Sequence, residues 1–377
     1  MNKSIQLVYF LAFLPFVNFG ISLISSDTQP FYFLIIVLIL LYKIKDLSIA
    51  PIELFLFFLA IIISFLSASY GFDFKKSFNL LIIVIAIFFL KRYSYTYNTI
   101  RLVLIIYFIF LLFWITLPSL AYGFQSLIVR NINTGLESSY RGIPLLSTEP
   151  GLFSGVGFLL IELFLLKIRG KMKKSDYFLI GSMLTATILS FSGTSIVFLF
   201  LFLILRVKVK LRAFLFLSAF LFLFGKNIFD LFPENRLTYF LGFFLDFDFI
   251  ILLNDSSLSY RITGLLMSID FFIKNFFGAI QSDDLIQTLQ NIYTQKYYNP
   301  RIGMDSQFHL VSSFGYSLIC GGVFTIIYFI TIFKRFFTIK GFAYFLLCIL
   351  FSYSLILPLP LILMIELSKN KNKCAEY

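Results

Sequence analysis

The chain has 377 residues, 59% of them hydrophobic and only 13% charged, and 53 are phenylalanine. Soluble domains carry about 25% charged residues, so this composition excludes a soluble enzyme, a disordered chain and a disulfide scaffold. At a mean hydropathy of +0.93, the net charge of +12 speaks to loop topology in a bilayer rather than to nucleic acid.

A membrane span needs about 20 apolar residues, somewhat fewer in a packed bundle. Uninterrupted candidates lie near residues 5–24, 30–42, 50–69, 77–90, 101–120, 150–167, 212–230 and 310–333. The first follows one lysine and lacks a small-residue cleavage signal, so it reads as a retained span, not a signal peptide. Two further apolar stretches are bracketed by basic clusters. Residues 176–205 run between KIRGKMKK and RVKVKLR and are interrupted at Ser192-Gly193-Thr194; residues 341–367 run between KRFFTIK and SKNKNK and are interrupted at Leu357-Pro358-Leu359-Pro360. Read as single spans, each would send one basic cluster outside. The positive-inside rule predicts two hairpins of short spans instead, and Gly and Pro at the breaks suit a turn.

The expectation is therefore an all-α polytopic membrane protein of about twelve spans, a single integral membrane domain over 1–377 with both termini cytoplasmic. Short inside loops then hold 21 of the 31 basic residues, and outside segments hold 13 of the 19 acidic ones. Two outside segments are long, about 121–149 and about 231–309. A polar site has room only there.

The chain's one histidine, His309, lies at the end of the second long segment. It alone has an ordinary pKa near neutrality, which makes it a candidate general base. The outer arginines are few: Arg130, Arg141, Arg236, Arg261 and Arg301. A guanidinium fork suits bidentate contact with a diphosphate. Arg261, in SYRITGLL, opens an amphipathic segment running to Phe277. Glu149 precedes Pro150-Gly151 at a helix start, where proline is favourable; a carboxylate there can orient an arginine or accept a sugar hydroxyl. Asp246-Phe247-Asp248 matches a DxD metal pattern, but its neighbours are apolar and no metal is expected. The scattered Cys320, Cys348 and Cys374 form no CxxC pair, and a single histidine precludes a His-rich metal site. Glu53 and Glu162 fall near cytoplasmic span ends, from which they are expected to reach the interface.

These features occur in a set order. RGIPLLSTEPGLF closes the first outer segment, LSFSGTS marks a hairpin turn, and the second outer segment runs from Tyr260-Arg261 to Asp305 and His309 ahead of Gly321-Gly322. In this order the chain resembles the O-antigen polymerase and O-antigen ligase superfamily of bacterial inner-membrane glycosyltransferases. FSGTS stands where that family often carries an arginine.

The resemblance implies a GT-C-like glycosyltransferase architecture and a metal-independent, cofactor-free transferase working at the periplasmic face. It implies undecaprenyl-diphosphate-linked glycans as donor and acceptor, contact with membrane lipid, and a chain-length regulator protein as a further partner. Arg141 and Arg261 match positions expected to contact diphosphate or glycan, and His309 the position expected to activate the acceptor hydroxyl. Arg130, Tyr260, Arg301 and Asp305 complete the expected substrate-binding set, with Glu149 as the other candidate base. The expected reaction is polymerisation of oligosaccharide repeat units. The alternatives are a ligase that moves the glycan to lipid A core, and a transporter of lipid-linked sugars.

Overall fold

The computed structural model describes residues 2–18, 30–69, 78–129, 142–168, 171–190, 193–206, 256–281, 285–296, 313–350 and 358–375. Among these, fourteen α-helices and two short 3-10 turns account for nearly all of the chain, and the one β-type pairing is an isolated bridge. Four helices are long and apolar enough to cross a membrane: Pro51–Ser69, Tyr97–Thr116, Pro150–Lys167 and Phe314–Phe336. The helix over Pro51–Ser69 shows why water cannot be its solvent. One face buries Leu56, Leu59, Ala60 and Ile63, while Phe58 and Phe65 remain 55% and 74% exposed on the other. A helix apolar on every face belongs in a core or in lipid, and this outer face has no core to cover it among the described residues. The expected α-helical membrane protein stands on these grounds.

The chain divides into two compact units, residues 1–35 with 95–249 and residues 36–94 with 250–377. The first unit begins with α1 (Asn2–Ala12). A span over 5–24 is expected, yet the helix stops at Ala12. Pro15 has no N–H to continue the ladder, and its ring crowds the carbonyl of Leu11. The chain turns, and Val17 bridges Val129 in antiparallel fashion. α2 (Phe31–Tyr42) holds the point where the division falls.

α5 (Tyr97–Thr116) is capped by the Thr96 hydroxyl, which accepts from the Thr99 N–H. It starts four residues earlier than the expected span and ends before Leu117-Pro118, because the residue before proline disfavours helical backbone. Proline then opens α6 (Pro118–Ile128), so the first outer segment begins as helix. α7 (Pro150–Lys167) carries both α8 (Lys174–Leu189) and α9 (Gly193–Arg206) on its flanks. The interruption expected in 176–205 is therefore real. Phenylalanine supplies the packing: Phe158 meets Phe198 with ring centroids 6.3 Å apart, and Phe164 stacks on Tyr97 at 5.4 Å. Offset aromatic pairs at such separations add to simple area burial.

In the second unit, α3 (Pro51–Ser69) packs on α4 (Asn79–Arg92) and on α12 (Ser313–Phe336). The amphipathic segment expected from Arg261 forms α10 (Ser256–Lys274), followed by a 3-10 turn (Gly278–Gln281) and α11 (Leu285–Lys296). α10 and the turn both rest on α12. There α12 is broken: Gly322 has φ 49°, ψ −128°, a backbone that L side chains rarely adopt. The freed Val323 N–H donates to the Phe276 carbonyl at 2.9 Å. Last come α13 (Ile339–Leu350) and α14 (Pro358–Ala375), packed on each other. Gly341, near the start of α13, lies against Met364 in the first half of α14, while Arg335 and Phe336, earlier in the chain, share a cleft with Ser368 and Lys369, further along α14, so the two run antiparallel. The basic residues 334–340 and 369–373 thus share one end, as the hairpin reading of 341–367 expects. The span expected at 212–230 lies outside the described residues.

Candidate functional site

The GIPLLSTEP segment, from Gly142, has a defined seat in the first unit. The Ile143 N–H donates to the Leu189 carbonyl at 3.0 Å, which fastens the segment to the last turn of α8. Contact is so close that a β-carbon on Gly142 would overlap the Leu189 carbonyl oxygen and the Ser190 backbone. Ser190 and Ser195 belong to the LSFSGTS turn, and both hydroxyls donate to the Thr187 carbonyl, at 2.7 and 2.6 Å. Two motifs more than forty positions apart in the chain therefore form one structure.

From there the chain turns sharply. The Ser147 N–H donates to the Pro144 carbonyl at 3.1 Å, and Leu145 sits at φ 45°. A leucine in that region is strained by about 1–3 kcal/mol and persists only where its surroundings enforce it. Here they do, since Leu145, Leu146, Ser147 and Thr148 are all buried. A polar chain beneath completes the hold. The indole N–H of Trp114 donates to Gln125 Oε1 at 3.1 Å, and Gln125 Nε2 donates to the Ser147 carbonyl at 2.9 Å. Sequence reasoning did not single out Trp114 or Gln125. The only signals were a lone tryptophan and an isolated amide in an apolar stretch.

The segment ends at Glu149, which precedes α7 with extended backbone, as expected for a helix start at Pro150. Its carboxylate caps no backbone N–H and makes no hydrogen bond or ion pair among the described residues. It is half-buried beside the positive end of a helix dipole. That combination leaves a carboxylate able to accept a hydrogen bond from something brought to it.

The other expected site residues fare differently. Tyr260 and Arg261 lie in the second turn of α10, in the second unit. Arg130, Arg141, Arg301, Asp305 and His309 lie outside the described residues, as do Arg236, Asp246 and Asp248. Arg141 immediately precedes the anchored Gly142, and His309 precedes α12 by four residues. No group of three His, Cys, Asp or Glu side chains among the described residues is arranged to hold a metal ion.

Two expectations are corrected. Glu53 and Glu162 do not reach an aqueous interface; both are buried. Glu162 lies within α7, enclosed by the helices that flank it. Glu53 is ion-paired with Lys91 and accepts the Ala50 N–H at 3.1 Å. Glu366, also buried, accepts from the Ser94 hydroxyl at 2.7 Å and from Lys369 at 3.0 Å. Partners within the protein, not solvent, meet the buried carboxylates of Glu53 and Glu366.

Compared with known proteins, the chain matches no family model, no curated protein and no solved structure.

The docked segment makes a sharp prediction. Gly142→Ala puts a methyl group against backbone that cannot swing away, so the loop must lift from α8 at a cost of about 1–3 kcal/mol. Trp114, the chain's single tryptophan, is tied to this loop through Gln125 and reports the change. Its emission should shift to longer wavelength in Gly142→Ala, and Gly181→Ala, with open space at its β-position, should leave it unmoved. Identical spectra for both variants would mean the loop does not depend on that contact.

Proposed function

We propose that this chain polymerises undecaprenyl-diphosphate-linked oligosaccharide repeat units at the periplasmic face of the bacterial inner membrane. In this reading it has about twelve spans in a GT-C-like arrangement and uses no metal. The anomeric C–O bond between the growing glycan and its lipid diphosphate breaks. A new C–O bond forms to a sugar hydroxyl of the incoming lipid-linked unit. The hydroxyl proton passes to a base, His309 or Glu149, and undecaprenyl diphosphate leaves with its negative charge. Arg141 and Arg261 stabilise that charge, the contribution a preorganised cation makes where charge develops. Holding two lipid-anchored substrates in line supplies rate through proximity.

The observation that carries the reading is the seat of GIPLLSTEP. A strained, buried loop docked on the end of α8 runs to a carboxylate that makes no hydrogen bond or ion pair among the described residues, and Arg141 directly precedes that loop in the sequence. Strain retained in a buried loop points to function more than to stability.

The test is reconstitution of the full chain into liposomes with lipid-linked repeat units alone. A ladder of lengthening glycans, unchanged by EDTA, is the expected result. A chain that transfers nothing until lipid A core is added, and then moves glycan onto it, is a ligase. Movement of the units across the bilayer without a new glycosidic bond would make it a transporter. Either of those outcomes overturns the proposal.

A further inference from the structure

At the basic end of the second unit, a cleft of about 150 Å³ opens between α4, α12 and α14. Lys91, Arg335, Ser368 and Lys369 line it, over an apolar floor of Phe336 and Ile365. Three cations and no carboxylate face this space. The nearby acids are already committed: Glu53 to Lys91 and the Ala50 N–H, Glu366 to Ser94 and Lys369. Lys369 is held in place as well, donating to the Tyr93 carbonyl at 2.9 Å, to the Ser94 hydroxyl at 3.0 Å and to Glu366. Arg92, one residue on, is turned to the carbonyls of Phe88 and Ser48. What remains is Arg335, which makes no ion pair or hydrogen bond among the described residues, together with the Ser368 hydroxyl and the N–H groups that Lys91 does not give to Glu53.

We infer that this cleft binds a phosphate group, with Arg335 as its principal ligand and Lys91 and Ser368 beside it. The guanidinium fork matches two phosphate oxygens at once. The fixed ammonium groups of Lys91 and Lys369 supply a positive field that the buried acids only partly offset. The apolar floor suits the glycerol and first methylenes of a phospholipid, and basic pockets between membrane helices hold such headgroups. The cleft is at the end of the unit where the basic residues 334–340 and 369–373 collect, which in the topology proposed above is the level of the inner-leaflet headgroups. A soluble phosphate offers the same oxygens, and the experiment separates the two sources.

The full chain is purified in detergent and examined by native mass spectrometry with phosphatidylglycerol or with digalactosyl diacylglycerol, which has similar tails and no phosphate. One phosphatidylglycerol should be retained and the glycolipid lost. Arg335→Ala should lower retention about tenfold, the loss of one charge-assisted contact. Lys334→Ala, an exposed neighbour that does not line the cleft, should retain lipid as the parent does. If millimolar inorganic phosphate raises the melting temperature of the parent but not of Arg335→Ala, and phosphatidylglycerol is not retained, the site stands and its occupant is a soluble phosphate. Equal losses in Arg335→Ala and Lys334→Ala would reduce the effect to general surface charge. Equal retention of both lipids, with no response to phosphate, would remove the site altogether.

Discussion

His309→Ala should lower polymer formation about 10²–10⁴-fold, the usual cost of removing a general base, while the chain accumulates in the membrane at parental abundance. In the proposed reaction the acceptor hydroxyl loses its proton as it attacks, and His309 is the chain's only side chain with an ordinary pKa near neutrality. Single-unit glycans should collect on the lipid, because donor binding does not need the base. Arg141→Lys and Arg261→Lys should also impair the reaction, since lysine keeps the charge and loses the planar fork. Normal ladders from His309→Ala at normal abundance would move the base to Glu149, and Glu149→Gln then becomes the deciding variant. The same set of strains measures both quantities: glycan ladders on gels, and chain abundance by immunoblot.

The largest effect on stability should come from Lys91→Met. Glu53 is 2% exposed and Lys91 28% exposed. Removing the lysine leaves a carboxylate buried without its counter-charge, a change that costs about 3–5 kcal/mol in fully buried pairs. Because Lys91 is partly open, the lower end, about 3 kcal/mol, is expected. Lys91→Met combined with Glu53→Gln should recover most of the loss, since no charge is then stranded. The chain supplies its own reporter. Cys320 and Cys348 are free and buried in the same unit, so a thiol-reactive fluorophore follows unfolding with temperature once Cys374 is replaced by Ser. A double variant as unstable as Lys91→Met would show that packing, not charge, makes the pair matter.

Much of the helical layout was legible because it is written locally. Pro118, Pro150 and Pro358 open helices, and the stretches 176–205 and 341–367 break where Gly or Pro interrupts them. Antiparallel packing of α13 on α14 agrees with what charge bias alone demanded. Local signals also misled. The apolar run after Gln6 looked continuous, and Pro15 ended its helix early. Glu53 and Glu162 looked interfacial because hydropathy counts residues near a helix end and not the neighbours that enclose them. The candidate site was legible in part. Glu149 was found from its place before proline, but the seat of Gly142 on Leu189 depends on a contact between distant positions, which no local pattern encodes. Neither the φ of Leu145 nor the hold of Gln125 on Ser147 leaves a mark on composition.

The break in α12 has a consequence for how the chain is made. Within a bilayer, each peptide group needs a partner from the protein itself. At Gly322 the ladder is interrupted, and Val323 takes its acceptor from Phe276, in the turn after α10. Phe276 is synthesised before Val323, so the carbonyl exists before its donor does. The turn after α10 cannot complete this hydrogen bond until α12 has been made. Completion of this part of the unit is then ordered, with a later-made helix locking an earlier one. Ribosome-bound chains truncated just before Val323 should leave the 275–281 turn open to protease, and released full-length chains should close it.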